Sequence, residues 1–378
     1  MADMPVETIP TDPSRPSPSS GTALCLSGGG YRAMLFHLGS LWRLYEADLL
    51  KTVERISSVS GGSITAGVLA LHWSRLSFDK DSIQSAFVPH VVSPIRKLAG
   101  RTIDVGAILR GVFLPGRASD RIAKAYDKVL FNGATLQDIT DTPRFVFNAT
   151  NVQSGALWRF MKPYMRDYRV GEVKIPTIPL SHAVAASSAF PPVLSPLVMR
   201  LPEDAYTPGS GMDLQRAPFT TRVVLTDGGV YDNLGLETAW KRCATVLVSD
   251  GGGKLAPAAK PKSDWARHAY RVLGVIDNQV RALRKRQVID SYKSGDRTGA
   301  YWGIRTNIAD YHLDDAFDCP HDRTLALANT PTRLKHVDDH LQERLINWGY
   351  AVCDAALRTH CDPQLPKPEG YPYPSAGV

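Results

Sequence analysis

The chain has 378 residues, of which 43% are hydrophobic and 21% charged, and its formal net charge is +7. These proportions are typical of a soluble globular protein, and the modest positive charge indicates neither a lipid nor a nucleic-acid partner by itself. No apolar run reaches the roughly 18 residues that a membrane-spanning helix requires, which excludes that class of protein.

The five cysteines are scattered and odd in number, which does not fit a disulfide framework and favours a reducing compartment. The first residues lack the basic segment and apolar core of a secretory signal. We therefore predict a cytoplasmic protein that meets any membrane from the water side. Export by a route without such a signal stays open.

Three regions follow one another along the chain. Residues 1–20 are rich in Pro and Ser and predict a disordered leader. Residues 21–361 predict one folded domain whose last helices are additions to its core. The Pro-rich tail, residues 362–378, is interpreted in the same way as the leader.

Short β-rich segments alternate with helical patterns through the domain, which predicts an α/β fold with three layers, α/β/α, and a mainly parallel central sheet. The predicted strands are residues 22–27, 55–59, 144–150, 222–226 and 245–249. Apolar residues at helical spacing in the two helices that follow the first two strands predict core positions. They are Leu35, Leu38, Trp42 and Tyr45 in the first helix, and Ile64, Val68 and Leu71 in the second.

Two longer helical stretches, residues 264–292 and 332–358, come after the last predicted strand. The first carries Arg281, Arg284, Lys285 and Arg286, which we interpret as a solvated helix face; the alternative is a patch for anionic lipid or another polyanion. In the second, His336 and His340 would lie one turn apart. Their segment "HVDDH" lacks the glutamate of H-E-x-x-H, so no metal site is predicted.

The first strand ends in a glycine turn, "LCLSGGGYRA". Gly28, Gly30 and Ala33 fit G-x-G-x-x-A between a strand and a helix, which is the dinucleotide-binding pattern. That pattern also requires an acidic residue at the end of the next strand to bind a ribose. Glu54 begins the next strand instead, so a nucleotide-dependent enzyme is kept as the less favoured alternative.

The second strand ends in a serine with small neighbours, "ISSVSGGSITAG". Ser60 stands between an apolar strand and a helix, as a nucleophilic serine does on a sharp strand-to-helix turn. The usual pattern is G-x-S-x-G, and here Ser58 occupies the first glycine position. Ser58 and Ser63 are competing candidates, but only Ser60 has suitable neighbours on both sides.

A later strand ends in an aspartate, "VVLTDGGVYDNLG". Asp227 would then lie at the carboxyl end of a strand in the sheet, where α/β folds place their chemistry. No histidine falls in a late loop with small neighbours, which makes a Ser-His-Asp hydrolase a minor alternative.

These three segments resemble the motifs of the patatin-like phospholipases. That family carries D-G-G-G-x-R-G, then G-x-S-x-G, then D-G-G or D-G-A, and this chain has "SGGGYRA", "SVSGG" and "DGG" in the same order. The first motif is similar to the S-G-G-G-x-R-A-M form of the cytosolic phospholipases. The segment "SHAVAASSAFPPV" (181–193) also looks like the family's stretch before its aspartate. The resemblance covers roughly residues 22–253.

The resemblance implies a patatin-like fold and a lipid acyl hydrolase that uses a Ser–Asp dyad and no metal or cofactor. Ser60 would be the nucleophile and Asp227 the general base. Arg32 would either brace the glycine turn or bind a lipid phosphate. Backbone N–H groups of four glycines would stabilise the oxyanion; they are Gly28, Gly29, Gly30 and Gly61.

The implied partner is a phospholipid or another acyl-ester lipid at a membrane surface, and no nucleic acid is expected. A non-catalytic module that binds membranes or nucleic acid through the basic helix is the main alternative. The sequence indicates no oligomeric state.

Overall fold

A computed structural model describes residues 19–103 and 117–378. Within them ten strands form one sheet, in the order β10-β9-β1-β2-β3-β4-β5-β6, and β8 pairs with both β3 and β7. The strands are β1 (Ser19–Leu26), β2 (Val53–Val59), β3 (Arg144–Asn151), β4 (Ala156–Phe160), β5 (Tyr164–Asp167), β6 (Gly171–Lys174), β7 (Leu197–Arg200), β8 (Arg222–Asp227), β9 (Cys243–Asp250) and β10 (Thr298–Gly303). The predicted leader lies outside the described residues as far as residue 18.

The five consecutive strands from one edge of the sheet, β10-β9-β1-β2-β3, are parallel. The prediction of a mainly parallel central sheet flanked by helices is confirmed. The remaining strands are antiparallel and extend the sheet beyond β3. The described α-helices are α1 (Gly30–Glu46), α2 (Gly61–His72), α3 (Ser93–Ala99), α4 (Arg117–Tyr126), α5 (Leu180–Ser187), α6 (Gly229–Asp232), α7 (Leu236–Trp240), α8 (Trp265–Ser294), α9 (His321–Ala328) and α10 (Asp339–His360).

Both faces of the sheet are covered, which β1 illustrates residue by residue. Leu24 and Leu26 pack into the large cluster that includes α1, α2 and α10. Ala23 and Cys25, which point the other way, pack into a smaller cluster with side chains of α7 and α8. A strand buried on both faces needs a continuous apolar run, and "ALCL" supplies it.

Helix α1 is buried on nearly every side, because α10 packs against the side that does not face the sheet. The two helices cross at Gly39 and Gly349. A Cβ atom on Gly39 would lie 1.9 Å from the carbonyl oxygen of Ile346, and one on Gly349 would lie 1.9 Å from that of Phe36. Glycine at both positions lets the backbones approach this closely.

The carboxyl ends of β2 and β8 meet head-on along one edge of β3. Val59 of β2 pairs with Asn148 in parallel register, and Asp227 of β8 pairs with Ala149 in antiparallel register. Since Asn148 and Ala149 are consecutive, the residues that follow β2 and β8 emerge at the same place. The strand of Asp227 is thus antiparallel to its neighbour, unlike the parallel strand that the sequence suggested.

Helix α10 begins at Asp339, later than the predicted residue 332. Asp338 caps it by accepting a hydrogen bond from Leu341 N at 3.0 Å, and this fixes the helix start. His336 therefore precedes the helix, where its Nδ1 contacts the carbonyl oxygen of Gly100 at 2.9 Å. His336 and His340 are not on one helix face, so the predicted spacing of that pair is wrong.

The interpretation of residues 362–378 as disordered is also wrong. The tail lies against α10, where Asn347 Nδ2 donates to the carbonyl oxygens of Tyr373 and Gly377, both at 2.8 Å. Tyr371 stacks on Phe317 with ring centroids 4.5 Å apart. Two tyrosines and one buried asparagine thus anchor a segment whose proline content alone suggested disorder.

Candidate active site

Ser60 occupies a strained turn between β2 and α2. Its φ and ψ are 52° and −120°, outside the usual regions for a residue with a side chain, and its side chain is mostly buried. A Cβ on Gly61 would lie 2.2 Å from the carbonyl oxygen of Gly30, and one on Gly62 would lie 2.4 Å from that of Leu26. The turn therefore requires the two glycines that follow Ser60.

A chain of serine hydroxyls supports this turn. Ser58 Oγ and Ser63 Oγ are 2.9 Å apart, and Ser63 Oγ lies 2.8 Å from Ser187 Oγ of α5. Ser60 N donates to the same Ser187 Oγ at 3.0 Å. The two competing serines, Ser58 and Ser63, are fully buried and occupied within the network. Ser187 was not singled out from the sequence, although it lies in the quoted segment 181–193.

Asp227 lies at the end of β8 and is buried. Its Oδ1 accepts from Gly229 N at 2.7 Å, whereas its Oδ2 has no partner at full hydrogen-bond geometry among the described residues. Burial raises the pKa of Asp227 to about 7; the N–H of Gly229 and the nearby Ser60 hydroxyl oppose this shift, and the charge of Asp277 on α8 adds to it. The hydroxyl and the carboxyl group are thus close enough to interact, while their roles as nucleophile and base stay predictions.

Three backbone N–H groups border the dyad and have no hydrogen-bond partner in the described parts of the chain: those of Gly29, Gly30 and Gly61. Gly29 and Gly30 begin α1 with φ values of 149° and 60°, which favour glycine, and Gly61 begins α2. Two helix N-termini therefore meet beside Ser60, and their dipoles favour negative charge there. Gly28 differs, because its N–H donates to the carbonyl oxygen of Asn233 at 3.0 Å.

Arg32 is buried behind the glycine turn. Its Nε and Nη2 donate to the carbonyl oxygen of Gly251 at 3.2 and 3.1 Å, and its Nη1 donates to that of Thr330 at 2.6 Å. Burial lowers the pKa of Arg32 to about 10. These contacts favour the bracing role of Arg32 over the alternative of phosphate binding.

Asn233 lies beside the glycine turn, and only its place in "DGGVYDNLG" connects it with the site in the sequence. A Cβ on Gly28 would lie 2.4 Å from Asn233 Oδ1, and a Cβ on Gly229 would lie 2.6 Å from the same atom. Asn233 Nδ2 would lie 3.2 Å from a Cβ on Gly252. The Asn233 amide thus fills the space between three glycine loops.

The family model of the patatin-like phospholipases matches residues 24–240, more than half of the chain. The chain belongs to the patatin-like phospholipase family. The matched segment contains the glycine turn, Ser60 and Asp227, and it favours the phospholipase interpretation of the turn over the dinucleotide interpretation. The closer likeness of "SGGGYRA" to the cytosolic phospholipases stays a prediction.

Solved structures of two patatin-like relatives are similar to this chain, while no curated protein matches it in sequence. Human GIVD cytosolic phospholipase A2, in complex with methyl gamma-linolenyl fluorophosphonate and terbium chloride, is 15% identical over 89% of this chain and 57% of that chain, with a TM-score of 0.47. VipD from Legionella pneumophila is 15% identical over 91% of this chain and 68% of that chain, with a TM-score of 0.37. The chain thus spans little more than half the length of the human phospholipase.

In this patatin-like chain, Ser187 accepts a hydrogen bond from the N–H of Ser60 and the Asp227 carboxyl group is close to the Ser60 hydroxyl, whereas no histidine forms a hydrogen bond with Ser60 among the described residues. His37, under the glycine turn, uses Nε2 on the carbonyl oxygen of Ser27 at 2.9 Å and Nδ1 on Ser249 Oγ at 2.8 Å. Burial lowers the pKa of His37 to about 4. It is a packed core residue.

The described residues of this phospholipase-family chain contain neither a metal-binding cluster nor a membrane-spanning helix. No cluster of His, Cys, Asp or Glu there could hold a metal ion. None of the helices in the same residues is both long and apolar enough to cross a membrane.

The predicted basic cluster on α8 is largely paired. Arg281 bonds Asp277 at 3.2 Å, Arg284 bonds Glu237 at 3.1 Å, and Lys285 bonds Asp250 at 2.5 Å. Burial raises the pKa of Asp250, but Lys285, Tyr301 and the N–H of Gly252 outweigh it and hold that pKa well below its usual range. Arg284 and Lys285 thus hold α8 to the body of the protein, Arg281 pairs within the helix, and Arg286 is exposed.

Proposed function

We propose that this chain is a lipid acyl hydrolase of the phospholipase A or lysophospholipase type, which cleaves carboxylic esters of membrane lipids. Ser60 is the nucleophile, Asp227 is the general base, and the N–H groups of Gly29, Gly30 and Gly61 stabilise the oxyanion. Arg32 braces the turn that presents those groups.

The reaction has two halves. Ser60 Oγ attacks the ester carbonyl carbon as its proton passes to Asp227, and the carbonyl oxygen becomes the oxyanion. Collapse breaks the bond to the lipid alcohol, which leaves with the proton from Asp227. Water then attacks the acyl-enzyme, giving a proton to Asp227, and the second collapse releases the fatty acid and returns the proton to Ser60.

The observation that carries this proposal is the raised pKa of Asp227 beside the Ser60 hydroxyl. A carboxylate with the usual pKa near 4 is a weak base for a hydroxyl, whereas one near 7 is matched to neutral pH. The N–H groups without a partner at the starts of α1 and α2 support the same proposal, because such groups can stabilise developing negative charge. Removal of one such donor typically costs about 2.7–4 kcal/mol of transition-state stabilisation.

Mass spectrometry of lipids incubated with purified protein tests the proposal. Wild type should release fatty acid and a lysolipid from phospholipid, whereas Ser60→Ala and Asp227→Asn should release neither while remaining folded. Ser85→Ala is the matched control, because it removes an exposed serine hydroxyl that takes no part in the network at the turn. Full activity of Ser60→Ala would overturn the assignment.

A further inference from the structure

Helix α8 carries more than half of the large hydrophobic side chains that are exposed among the described residues. There are thirteen such side chains, and seven of them belong to this helix. The seven are Trp265, Tyr270, Val272, Leu273, Val275, Ile276 and Leu283. Trp265 is 85% exposed and Leu273 is 62% exposed. Six of the seven, all but Tyr270, lie within about 160° of the helix circumference, and an exposed apolar surface of this kind marks an interaction site.

The helix presents its polar side to the protein and its apolar side to the solvent. A Cβ on Gly274 would lie 3.2 Å from Leu255 Cδ1, and Lys285 forms its ion pair with Asp250. At about 100° per residue, Gly274 and Lys285 lie within roughly 20° of each other and nearly opposite Ile276 and Leu283. This is the reverse of the arrangement in a helix that covers a core.

The orientation is fixed by the carboxyl-terminal half of α8. Val288 is fully buried, and Tyr292 Oη donates to the carbonyl oxygen of Val246 at 2.5 Å. The ends are also defined, by Asp264 as N-cap and by Gly295 in the left-handed conformation. The apolar face therefore points outward because the opposite face is anchored.

The charge around this face complements an anionic surface. The helix has seven Lys or Arg residues and two Asp residues, and four of the seven basic residues form ion pairs, with Asp264, Asp277, Glu237 and Asp250. Lys254, Lys260 and Lys262 precede it, are exposed, and have no ion pair among the described residues, and Arg286 has the same two properties. Helices with an apolar face bordered by Lys and Arg lie in the plane of a membrane interface, and anionic lipids attract their basic residues.

The middle of α8 lies beside the candidate active site. Asp277 is close enough to raise the pKa of Asp227, and Arg281 Nη1 would lie 3.0 Å from a Cβ on Gly252. Helix α6, which follows Asp227 and exposes Val230, contacts α8. Asp277 and Arg281 lie toward the anchored side of α8, so a surface that covered the apolar face would lie across the helix from Ser60, about one helix diameter away.

We propose that the exposed face of α8, formed by the hydrophobic residues named above other than Tyr270, docks the protein on the surface of an anionic lipid bilayer. This inference deepens the proposed function, because docking would hold the protein at a surface that contains lipid esters, but the binding itself requires no catalysis.

Vesicle flotation with the full chain tests the proposal. The Ser60→Ala protein is mixed with vesicles of phosphatidylcholine alone or of phosphatidylcholine and phosphatidylglycerol in equal parts. We expect binding to the mixed vesicles, weakened by salt, and at least about tenfold weaker binding when Leu273→Glu and Ile276→Glu are added. Met212→Glu, which changes an equally exposed hydrophobic residue elsewhere, should bind as well as the parent.

Fluorescence supplies a second reading. Subtracting the spectrum of Trp265→Phe from that of the parent gives the emission of Trp265. This emission should shift to shorter wavelength when mixed vesicles are present. An unshifted emission, or equal flotation of the Leu273→Glu/Ile276→Glu protein, would overturn the proposal. The proposal would also be overturned if the chain formed a dimer that Leu273→Glu/Ile276→Glu dissociates, while the variant floats with vesicles as well as the parent. The face would then bind a second copy of the chain.

The two proposals fail separately. Flotation uses the Ser60→Ala protein, so its failure concerns the docking face alone. In the Ser60-containing background, Leu273→Glu/Ile276→Glu should hydrolyse a soluble short-chain ester at the parent rate, which shows that the variant is folded. If the wild-type protein, which contains Ser60, hydrolysed no ester, this result would instead contradict the proposed function.

Discussion

The carboxyl group of Asp227 is buried beside one N–H donor and one hydroxyl, and its pKa of about 7 sets the expected pH dependence. The base must be unprotonated to accept the Ser60 proton, so kcat/KM should rise with pH and level off above about 7. A soluble short-chain ester is the appropriate substrate, because lipid ionisation then plays no part. A profile that is already flat at pH 5 would contradict this assignment.

The same shift predicts an effect on stability. The folded-state pKa of Asp227 is raised above the usual 3.8, so the folded protein binds this proton more tightly, and that stabilisation is lost as pH rises to about 7. Asn carries no charge and can still accept from Gly229 N. Asp227→Asn should therefore raise the melting temperature more at pH 8 than at pH 5, with a difference on the order of 2 kcal/mol in the free energy of unfolding.

Thermal unfolding at the two pH values measures this difference. Asp290→Asn is the matched control, since it removes one exposed carboxylate from the surface. The prediction fails if Asp227→Asn is destabilised equally at both pH values, because the native carboxyl group would then not resist ionisation.

The contact between Gly28 and Asn233 predicts coupled mutations. A Cβ on Gly28 would lie 2.4 Å from Asn233 Oδ1, so Gly28→Ala should disturb the turn and lower ester hydrolysis. Adding Asn233→Ala removes that overlap, and the nearest remaining contact is Ser60 Cβ at 3.1 Å. The double variant should therefore be more active than the two single effects predict, by a coupling of about 1 kcal/mol or more. Additive losses would show that Asn233 does not limit the space beside Gly28.

At the scale of elements, the starts of α1 and α2 present the N–H groups, and Arg32 connects the α1 start to the loops at Gly251 and Thr330. Arg32→Ala leaves two carbonyl groups without their donor and loosens the turn. We expect a loss of about tenfold or more on a neutral short ester and on a phospholipid alike. Parallel assays on both substrates measure it, and a loss confined to the phospholipid would instead favour phosphate binding by Arg32.

Periodicity and composition predicted the elements near the site with useful accuracy. The strand predicted at residues 144–150 is β3, Arg144–Asn151, because a long apolar run bounded by polar residues has few alternatives. The antiparallel strands β4–β6 were missed, since runs of four or five residues resemble any loop. The tail was misjudged because composition cannot show that Asn347 and Phe317 provide binding positions for its backbone and rings.

At the scale of the whole molecule, the site depends on register between distant segments. The motifs around Ser60 and Asp227 were visible in the sequence, but the head-on meeting of β2 and β8 along β3 was not. That geometry follows from long-range pairing, which local patterns do not encode. For the same reason, the serine network through Ser187 and the place of Asn233 emerged only from the fold.

The most direct test of the central claim, that Ser60 is a nucleophile activated by Asp227, is labelling with a fluorophosphonate probe followed by peptide mass spectrometry. We expect one probe adduct on the peptide that contains Ser60, no adduct in Ser60→Ala, and much slower labelling in Asp227→Asn. An adduct on another residue, or labelling that persists unchanged in Ser60→Ala, would contradict the account.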